Sequence, residues 1–307
     1  MPSLRSLIEL VRAPAALSVP GDVVAGAAAG GVLGPRTAGL AAASVCLYWS
    51  GMAANDWADR ELDAVERPER PIPSGRITPP QALGIAAGLS AAGVALAALA
   101  GGRRALAVAL PLAGAVWAYD LRAKNTAAGP AMMAACRGLD VLLGAAPGRA
   151  VRALPAALTV AAHTSTVTAL SRREVSGADR TLPAATLAGT AAVAISAGLP
   201  AARNGRGSAG WLASLTSTSA ADRPRGLAAA VPGALAAWYA AGYGAAQARV
   251  AADPSAAKVR AAVGAGITGL PPLQGALVAS AGAPAIGVAV AAIAPLARRL
   301  ARLVSPT

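Results

Sequence analysis

Six of the fourteen acidic residues of this chain fall between Asp56 and Glu69. They lie in the run NDWADRELDAVERPERPIPSGRI, Asn55 to Ile77. On a helix, Asp56, Asp59 and Asp63 stand at i, i+3 and i+7, which puts their carboxylates on one face within about 60°. Three uncompensated carboxylates on one face repel unless a cation sits among them. Hard oxygen donors suit Mg²⁺, which binds one or two carboxylates and fills its shell with water and substrate phosphates. The chemistry suggested is a Mg²⁺–diphosphate site at a membrane surface. The competing reading is a solvated loop whose Asp and Arg residues pair at little energetic value.

Further ionisable groups stand inside apolar runs, where they are costly and face a cavity or each other. Asp22 has no local partner in sequence, which makes it a candidate for acceptor binding or proton removal. Arg137 and Asp140, at i and i+3, read either as a structural ion pair or as cavity residues. His163, the only histidine, reads as a packed, hydrogen-bonded residue rather than a base.

The elements that must position these groups are apolar. The 307 residues are 55% hydrophobic and 13% charged, with no Phe and a mean hydropathy of +0.53. A soluble domain carries roughly a quarter charged residues, so this is an integral membrane protein. Apolar segments run over about 15–34, 38–54, 82–101, 105–119, 127–146, 153–170, 182–201, 227–247, 259–280 and 283–297. Strand alternation is absent, and a chain in lipid must satisfy its backbone internally. The expected architecture is all-α, a single polytopic helical bundle over 1–307 with nine to ten spans. The segment at 259–280, which holds Pro271-Pro272, and the short last one are the weakest. Either would break or re-enter if nine spans is the number. The excess of Ala and Gly pervades the chain, so small-xxx-small patterns carry no information by themselves.

The net charge of +13 comes from 27 basic residues, only two of them Lys, and they cluster at the ends of apolar runs. That is the pattern of the positive-inside rule and not of a nucleic-acid surface. With the N-terminus cytoplasmic, the inside loops hold Arg5, Arg12, Arg60, Arg67, Arg70, Arg76, Arg122, Lys124, Arg172, Arg173, Arg180, Arg249, Lys258, Arg260, Arg298, Arg299 and Arg302. The outside loops hold Arg36, Arg103, Arg104, Arg149, Arg152, Arg203, Arg206, Arg223 and Arg225. The excess favours a cytoplasmic N-terminus. No cleavable signal peptide is evident, and the first apolar run reads as a span. Cys46 and Cys136 lie in apolar runs, which argues against a disulfide framework.

The run NDxxDxxxD followed by Arg70-Pro71-Ile72-Pro73-Ser74-Gly75-Arg76 resembles the UbiA superfamily of intramembrane prenyltransferases. The resemblance implies a bundle around a central cavity open to lipid, with its polar site on the cytoplasmic side. It implies that Asn55, Asp56, Asp59 and Asp63 bind Mg²⁺ and the diphosphate of an isoprenoid donor. Arg70 and Arg76 would contact phosphate or, equally, anionic lipid. Between the fourth and fifth spans, YDLRAKN is similar to the family's Tyr-x-x-x-x-Lys segment, so Tyr119 would line the donor site and Lys124 would face the diphosphate. Otherwise Lys124 is a flanking charge, and Asp120 pairs with Arg122. The family's second acidic motif corresponds to SRREVSGADR, Ser171 to Arg180. It supplies only Glu174 and Asp179, at i and i+5, so Gly177 must break the helix for both to reach the metal. A one-metal site stays open.

The reaction implied is Mg²⁺-assisted transfer of an isoprenyl group onto an acceptor, with Glu174, Lys124 and Asp22 as catalytic candidates. Asn55, Arg70, Arg76, Tyr119, Arg137 and Asp140 are the substrate-binding candidates. The acceptor is unknown; Asp22 and Asp140 suit a hydroxyl-bearing one, a polyol or cyclitol, better than a carboxylate. A terpene cyclase of the same superfamily is an alternative. So is a transporter or channel with an acidic vestibule, although no chain of ionisable residues crosses the bilayer. The partners expected are the isoprenoid diphosphate, the acceptor and the bilayer, with no nucleic acid and no evident protein partner.

Overall fold

A computed structural model describes residues 2–199 and 223–296. Arg203, Arg206, Arg298, Arg299 and Arg302, which enter the charge count, lie outside the described residues. So do the ends of the apolar segments at 182–201 and 283–297. The described residues form helices and turns with no strand among them. They divide into two compact units, the first running through Ser165 and the second Thr166–Pro295. Five described helices are long and apolar enough to cross a membrane: Pro35–Ala58, Pro79–Ala123, Ala150–Ser171, Thr181–Gly198 and Ala256–Ser280.

In the first unit, α1 (Leu4–Leu10) starts at Ser3, whose Oγ accepts from the Ser6 N–H at 3.1 Å. Arg12 then takes a left-handed conformation (φ 46°), the one non-glycine among the described residues to do so. A 3₁₀ turn, Ala13–Ser18, leads into α2 (Val19–Gly30), which closes on Gly31 at φ 72°. Helix α3 (Pro35–Ala58) hands over at Asp59 to the short α4 (Arg60–Glu66), and residues 67–77 follow as turns.

Helix α5 (Pro79–Ala118) opens with a reciprocal cap between Thr78 and Gln81. Forty residues at 1.5 Å each would reach about 60 Å, twice a bilayer's hydrocarbon thickness. The helix instead folds back at Gly102 (φ 66°, ψ −158°), a conformation reserved for glycine. The Trp117 indole N–H consequently reaches Ser90 Oγ at 2.9 Å across 27 residues. The segments 82–101 and 105–119 are therefore the two arms of one hairpin. A π-helical turn, Tyr119–Ala123, then leads to α6 (Gly129–Ala145), a 3₁₀ turn (Ala150–Ala153) and α7 (Leu154–Ser171). The core of this unit gathers Val23, Leu40, Leu47, Leu112 and Leu143.

Helices α2 and α6 meet backbone to backbone. A Cβ on Gly26 would overlap the Val141 carbonyl, and one on Gly144 would overlap the Val23 carbonyl. Small residues thus do specify a contact here, although the composition of the chain hides it from a pattern search.

The second unit holds the end of α7, then α8 (Thr181–Gly198), α9 (Arg223–Tyr239), a second π-helical turn (Ala240–Gly244), α10 (Ala245–Ala252), α11 (Ala256–Ser280) and α12 (Pro284–Ala291). Helix α11 runs unbroken through Pro271-Pro272, so the break that a nine-span count allowed there does not occur. Both prolines are buried, and lipid-embedded helices tolerate proline where neighbours pack over the freed backbone. Gly275 and Gly287 make room for each other's backbone where α11 meets α12.

Candidate active site

The acid-rich turn forms at the end of α3, where the helical path continues through Asp59 with little deviation. Asp59 N–H still bonds the Asn55 carbonyl at 2.9 Å, and Asp63 N–H the Asp59 carbonyl at 2.8 Å. The expected common face survives in part. Asp56 and Asp63 are buried, 4% and 2% exposed, and both reach the same Arg70 nitrogen. Arg70 Nη1 donates to Asp63 Oδ2 at 2.6 Å and to Asp56 Oδ1 at 3.4 Å. Arg12 Nη2 donates to the same Asp56 oxygen at 2.8 Å, and Arg67 stands 3.7 Å from Asp63 Oδ1. Asp59 turns aside to accept from Lys124 Nζ at 2.6 Å. Every one of the three carboxylates therefore faces a cation. These are partly buried, networked pairs, not the exposed pairs of little value.

Arg76 goes elsewhere. It pairs with Glu9, which also receives Arg5 Nε at 3.0 Å, and it donates to the Glu69 carbonyl at 2.6 Å. The hydrogen bond from Arg76 is the main reason the Glu9 carboxyl lies below its ordinary value. Arg76 thus ties α1 to the turn after α4, apart from the Asp56–Asp63 cluster.

Next to the acid turn lies a cavity of about 90 Å³, bounded by α2, α3, α5, the π turn and α6. Tyr119, Asp120, Arg137, Asp140, Ser44 and Tyr48 bring polar atoms to a wall otherwise made of Val19, Leu47, Met52, Leu112, Val116, Met133 and Cys136. Arg137 does not pair with Asp140 as the i, i+3 spacing suggested. Its Nη2 lies 2.8 Å from Asp22 Oδ2, a close ion contact without hydrogen-bond alignment. Asp140 accepts instead from Ser44 Oγ, 2.6 and 2.7 Å from its two oxygens. Asp22 is fully buried and does not line the cavity, so it acts on that space through Arg137. Nor does Asp120 pair with Arg122, which is exposed; it accepts from Asn55 Nδ2 at 3.2 Å. His163 is buried on α7, 2% exposed.

Arg12, Ser44 and Asp120 enter this arrangement without having been singled out as site residues. Their partners lie 44, 96 and 65 residues away, so no local spacing exposes them.

In the second unit, α7 ends at Ser171, ahead of the expected break at Gly177. Gly177 takes φ 76°, and a side chain there would press on the Pro254 carbonyl. Asp179 Oδ1 accepts from Leu182 N–H (2.9 Å), Thr181 Oγ1 (2.9 Å) and Thr181 N–H (3.1 Å), which makes it the cap of α8. Those hydrogen bonds hold its carboxyl below the ordinary value. Partial burial pushes the Glu174 carboxyl up, against the opposing charge of Arg260, whose Nη1 donates to the Glu174 carbonyl at 2.8 Å.

Among the described residues no three of His, Cys, Asp and Glu come together as a ready-made metal site. What the first unit offers is a pair of buried carboxylates converging on one cation. That donor set fits Mg²⁺, which needs few protein ligands when phosphates and water complete its shell.

Apolar helices with a buried cluster of acids and cations, beside a small polar cavity, define an intramembrane protein with a charged polar centre. The chain belongs to the UbiA prenyltransferase family, whose model matches residues 17–259. It is 41% identical over 154 residues to the digeranylgeranylglyceryl phosphate synthase of Methanopyrus kandleri, an alignment covering 48% of this chain and 54% of that one. It is 37% identical over 113 residues to the bacteriochlorophyll synthase 33 kDa chain of Rhodobacter capsulatus, covering 35% and 37%. The chain thus spans about half the length, or less, of these curated relatives.

Among solved structures, a digeranylgeranylglyceryl phosphate synthase matches with TM-score 0.64 at 16% identity, over 91% of this chain and 98% of that one. A UbiA homologue from Archaeoglobus fulgidus bound to GPP and Mg²⁺ matches with TM-score 0.55 at 12% identity, over 94% and 99%. At such identities the likeness is one of fold.

Proposed function

We propose that this chain transfers an isoprenyl group from an isoprenoid diphosphate, bound with Mg²⁺, to a small hydroxyl-bearing acceptor in the membrane. The observation that carries this reading is the convergence of buried Asp56 and Asp63 on a single guanidinium nitrogen of Arg70. Two carboxylates aimed at one point, ringed by Arg12, Arg70 and Lys124, suit a divalent ion together with a diphosphate. The names and ligands of the relatives support the same chemistry. Two of them are synthases of a glyceryl phosphate bearing geranylgeranyl chains, and a third binds GPP with Mg²⁺.

Asp56 and Asp63 would hold the metal, with Asp59 and Asn55 beside them. Bound there, Mg²⁺ supplies Lewis-acid neutralisation of the charge that develops on the departing diphosphate. Arg12, Arg70 and Lys124 already point into this region, and they would exchange carboxylate partners for phosphate oxygens with little movement. Such preorganised cations stabilise the leaving group without reorganising at the moment of reaction. Arg137, fixed by Asp22, and Asp140, fixed by Ser44, would orient the acceptor in the adjoining cavity. The basic-residue excess supports a cytoplasmic placement of the N-terminus and of this site.

The test is pyrophosphate release from a panel of allylic diphosphates by the full chain in detergent, with Mg²⁺ and with EDTA. Release is expected to require Mg²⁺ and to fall at least about a hundredfold in Asp56→Ala and Asp63→Ala. Equal turnover in wild type and both variants removes the reading.

A further inference from the structure

The geometry points to Asp120 as the residue that receives a hydroxyl of the acceptor, and to its Oδ2 as the atom that does so. The inference rests on the proposed transfer reaction and names a group that the family motifs do not supply. Asp120 is 3% exposed, yet it lines the cavity together with Asp140 and Arg137. Its Oδ1 is committed to Asn55 Nδ2 at 3.2 Å. Among the described residues its Oδ2 accepts no hydrogen bond, and a methyl built on Gly51 would fall 3.3 Å from it and 2.8 Å from Val116 Cγ1.

Asp120 lines the cavity, so this oxygen is open to a hydrogen-bond donor that enters it. Most other polar groups in this wall are already engaged. Asp140 holds Ser44, and Arg137 is matched by Asp22. Two carboxylates against one compensated guanidinium favour a headgroup that donates hydrogen bonds over one that brings a carboxylate of its own. The π turn that carries Asp120 also carries Tyr119 and leads directly to Lys124, which faces Asp59. One short turn therefore presents a cation to the acid cluster and a hydrogen-bond acceptor to the cavity. An acceptor hydroxyl held on Asp120 would stand beside the donor's reacting end.

The experiment uses the full chain in detergent with myo-inositol, sn-glycerol 1-phosphate and 4-hydroxybenzoate as acceptor probes. The readouts are thermal stabilisation and the KM values for acceptor and for geranylgeranyl diphosphate. Asp120→Asn keeps the shape and the Asn55 contact but removes the charge, so KM for the hydroxyl probe should rise about tenfold or more. KM for the diphosphate should stay within about twofold, and stabilisation by the probe should disappear. Gly51→Ala places a methyl against Val116 Cγ1 (2.8 Å) and the same oxygen (3.3 Å), narrowing this side of the cavity without altering charge. It should raise acceptor KM in the same direction, which keeps the test decisive if one variant folds poorly.

Stabilisation by myo-inositol assigns the hydroxyl to a neutral polyol, and stabilisation by glycerol 1-phosphate assigns it to a phosphate-bearing headgroup; either supports the inference. A response confined to 4-hydroxybenzoate overturns it. So does an unchanged acceptor KM in both variants, or a diphosphate KM that rises in step. Pyrophosphate release that ignores every hydroxyl probe also removes this inference while leaving the transfer reading intact. No release by wild type removes both.

Discussion

Two turns of this molecule carry acids at the end of a long apolar helix, and they have been put to different uses. After α3, Asp56 and Asp59 are met by cations from distant parts of the chain, Arg12 and Lys124, and Asp56 and Asp63 share the Arg70 guanidinium. After α7, Asp179 spends an oxygen on the first turn of the next helix, and Glu174 stays half-buried near Arg260. The difference lies in what surrounds the acids. An Asp two residues before a helix start finds backbone N–H groups at no cost in folding. Carboxylates on a continuing helical face have none within reach and must be balanced by side chains that tertiary structure delivers. The first turn is therefore dependent on an external cation, and the second is already satisfied.

The sharpest way to probe that contrast is to remove the shared cation. Arg70→Met leaves Asp56 and Asp63 buried without their common partner, and breaking a buried pair this way costs about 3–5 kcal/mol. The expected outcome is a large fall in Tm in detergent, with millimolar Mg²⁺ raising Tm more in the variant than in wild type. If Mg²⁺ stabilises both proteins equally, the guanidinium does not stand where the ion would. A smaller effect is expected in the second turn. Asp179→Ala should lower Tm slightly, as loss of one exposed helix cap does, and lower pyrophosphate release less than about twofold. A tenfold loss of release with unchanged Tm would give that turn a chemical role and erase the contrast.

The smallest effect concerns Glu9, whose carboxyl lies below its ordinary value of 4.5 because of Arg76 and Arg5. A depressed acid stabilises the fold fully above that ordinary value, and the contribution is lost as pH falls through the lower, folded-state value. Acidification below about 4.5 should therefore loosen α1 from the turn at Arg76. Hydrogen exchange at residues 4–10 should quicken there in wild type but not in Glu9→Gln; identical profiles would remove the tie.

Length and hydropathy sufficed to read the helical bundle from the sequence, because a chain in lipid has few other options. They also separated 82–101 from 105–119, the two arms that fold back at Gly102. They left Pro271-Pro272 open to a break, since the penalty for proline depends on whether neighbours cover the freed carbonyls, and residue spacing is silent on that. The acid face was legible because helical periodicity is local. The cations that answer it were legible only as charges: Arg12 sits in a left-handed turn 44 residues from Asp56, and nothing in its surroundings marks it. The Arg137–Asp140 spacing suggested a pair that the fold does not make, because α2 brings Asp22 closer to that guanidinium.

The padding-free seam between α2 and α6 sets a limit on how this cavity can change. With Gly26 against Val141 and Gly144 against Val23, the two helices have no side chains to compress and no room to slide. Asp22 rides on one and Arg137 on the other, so that wall behaves as the fixed jaw of a vice. Any gain in cavity size, whether by breathing or by engineering, must come from the opposite jaw, where Met52 on α3 offers a long, pliable side chain that can be shortened one carbon at a time.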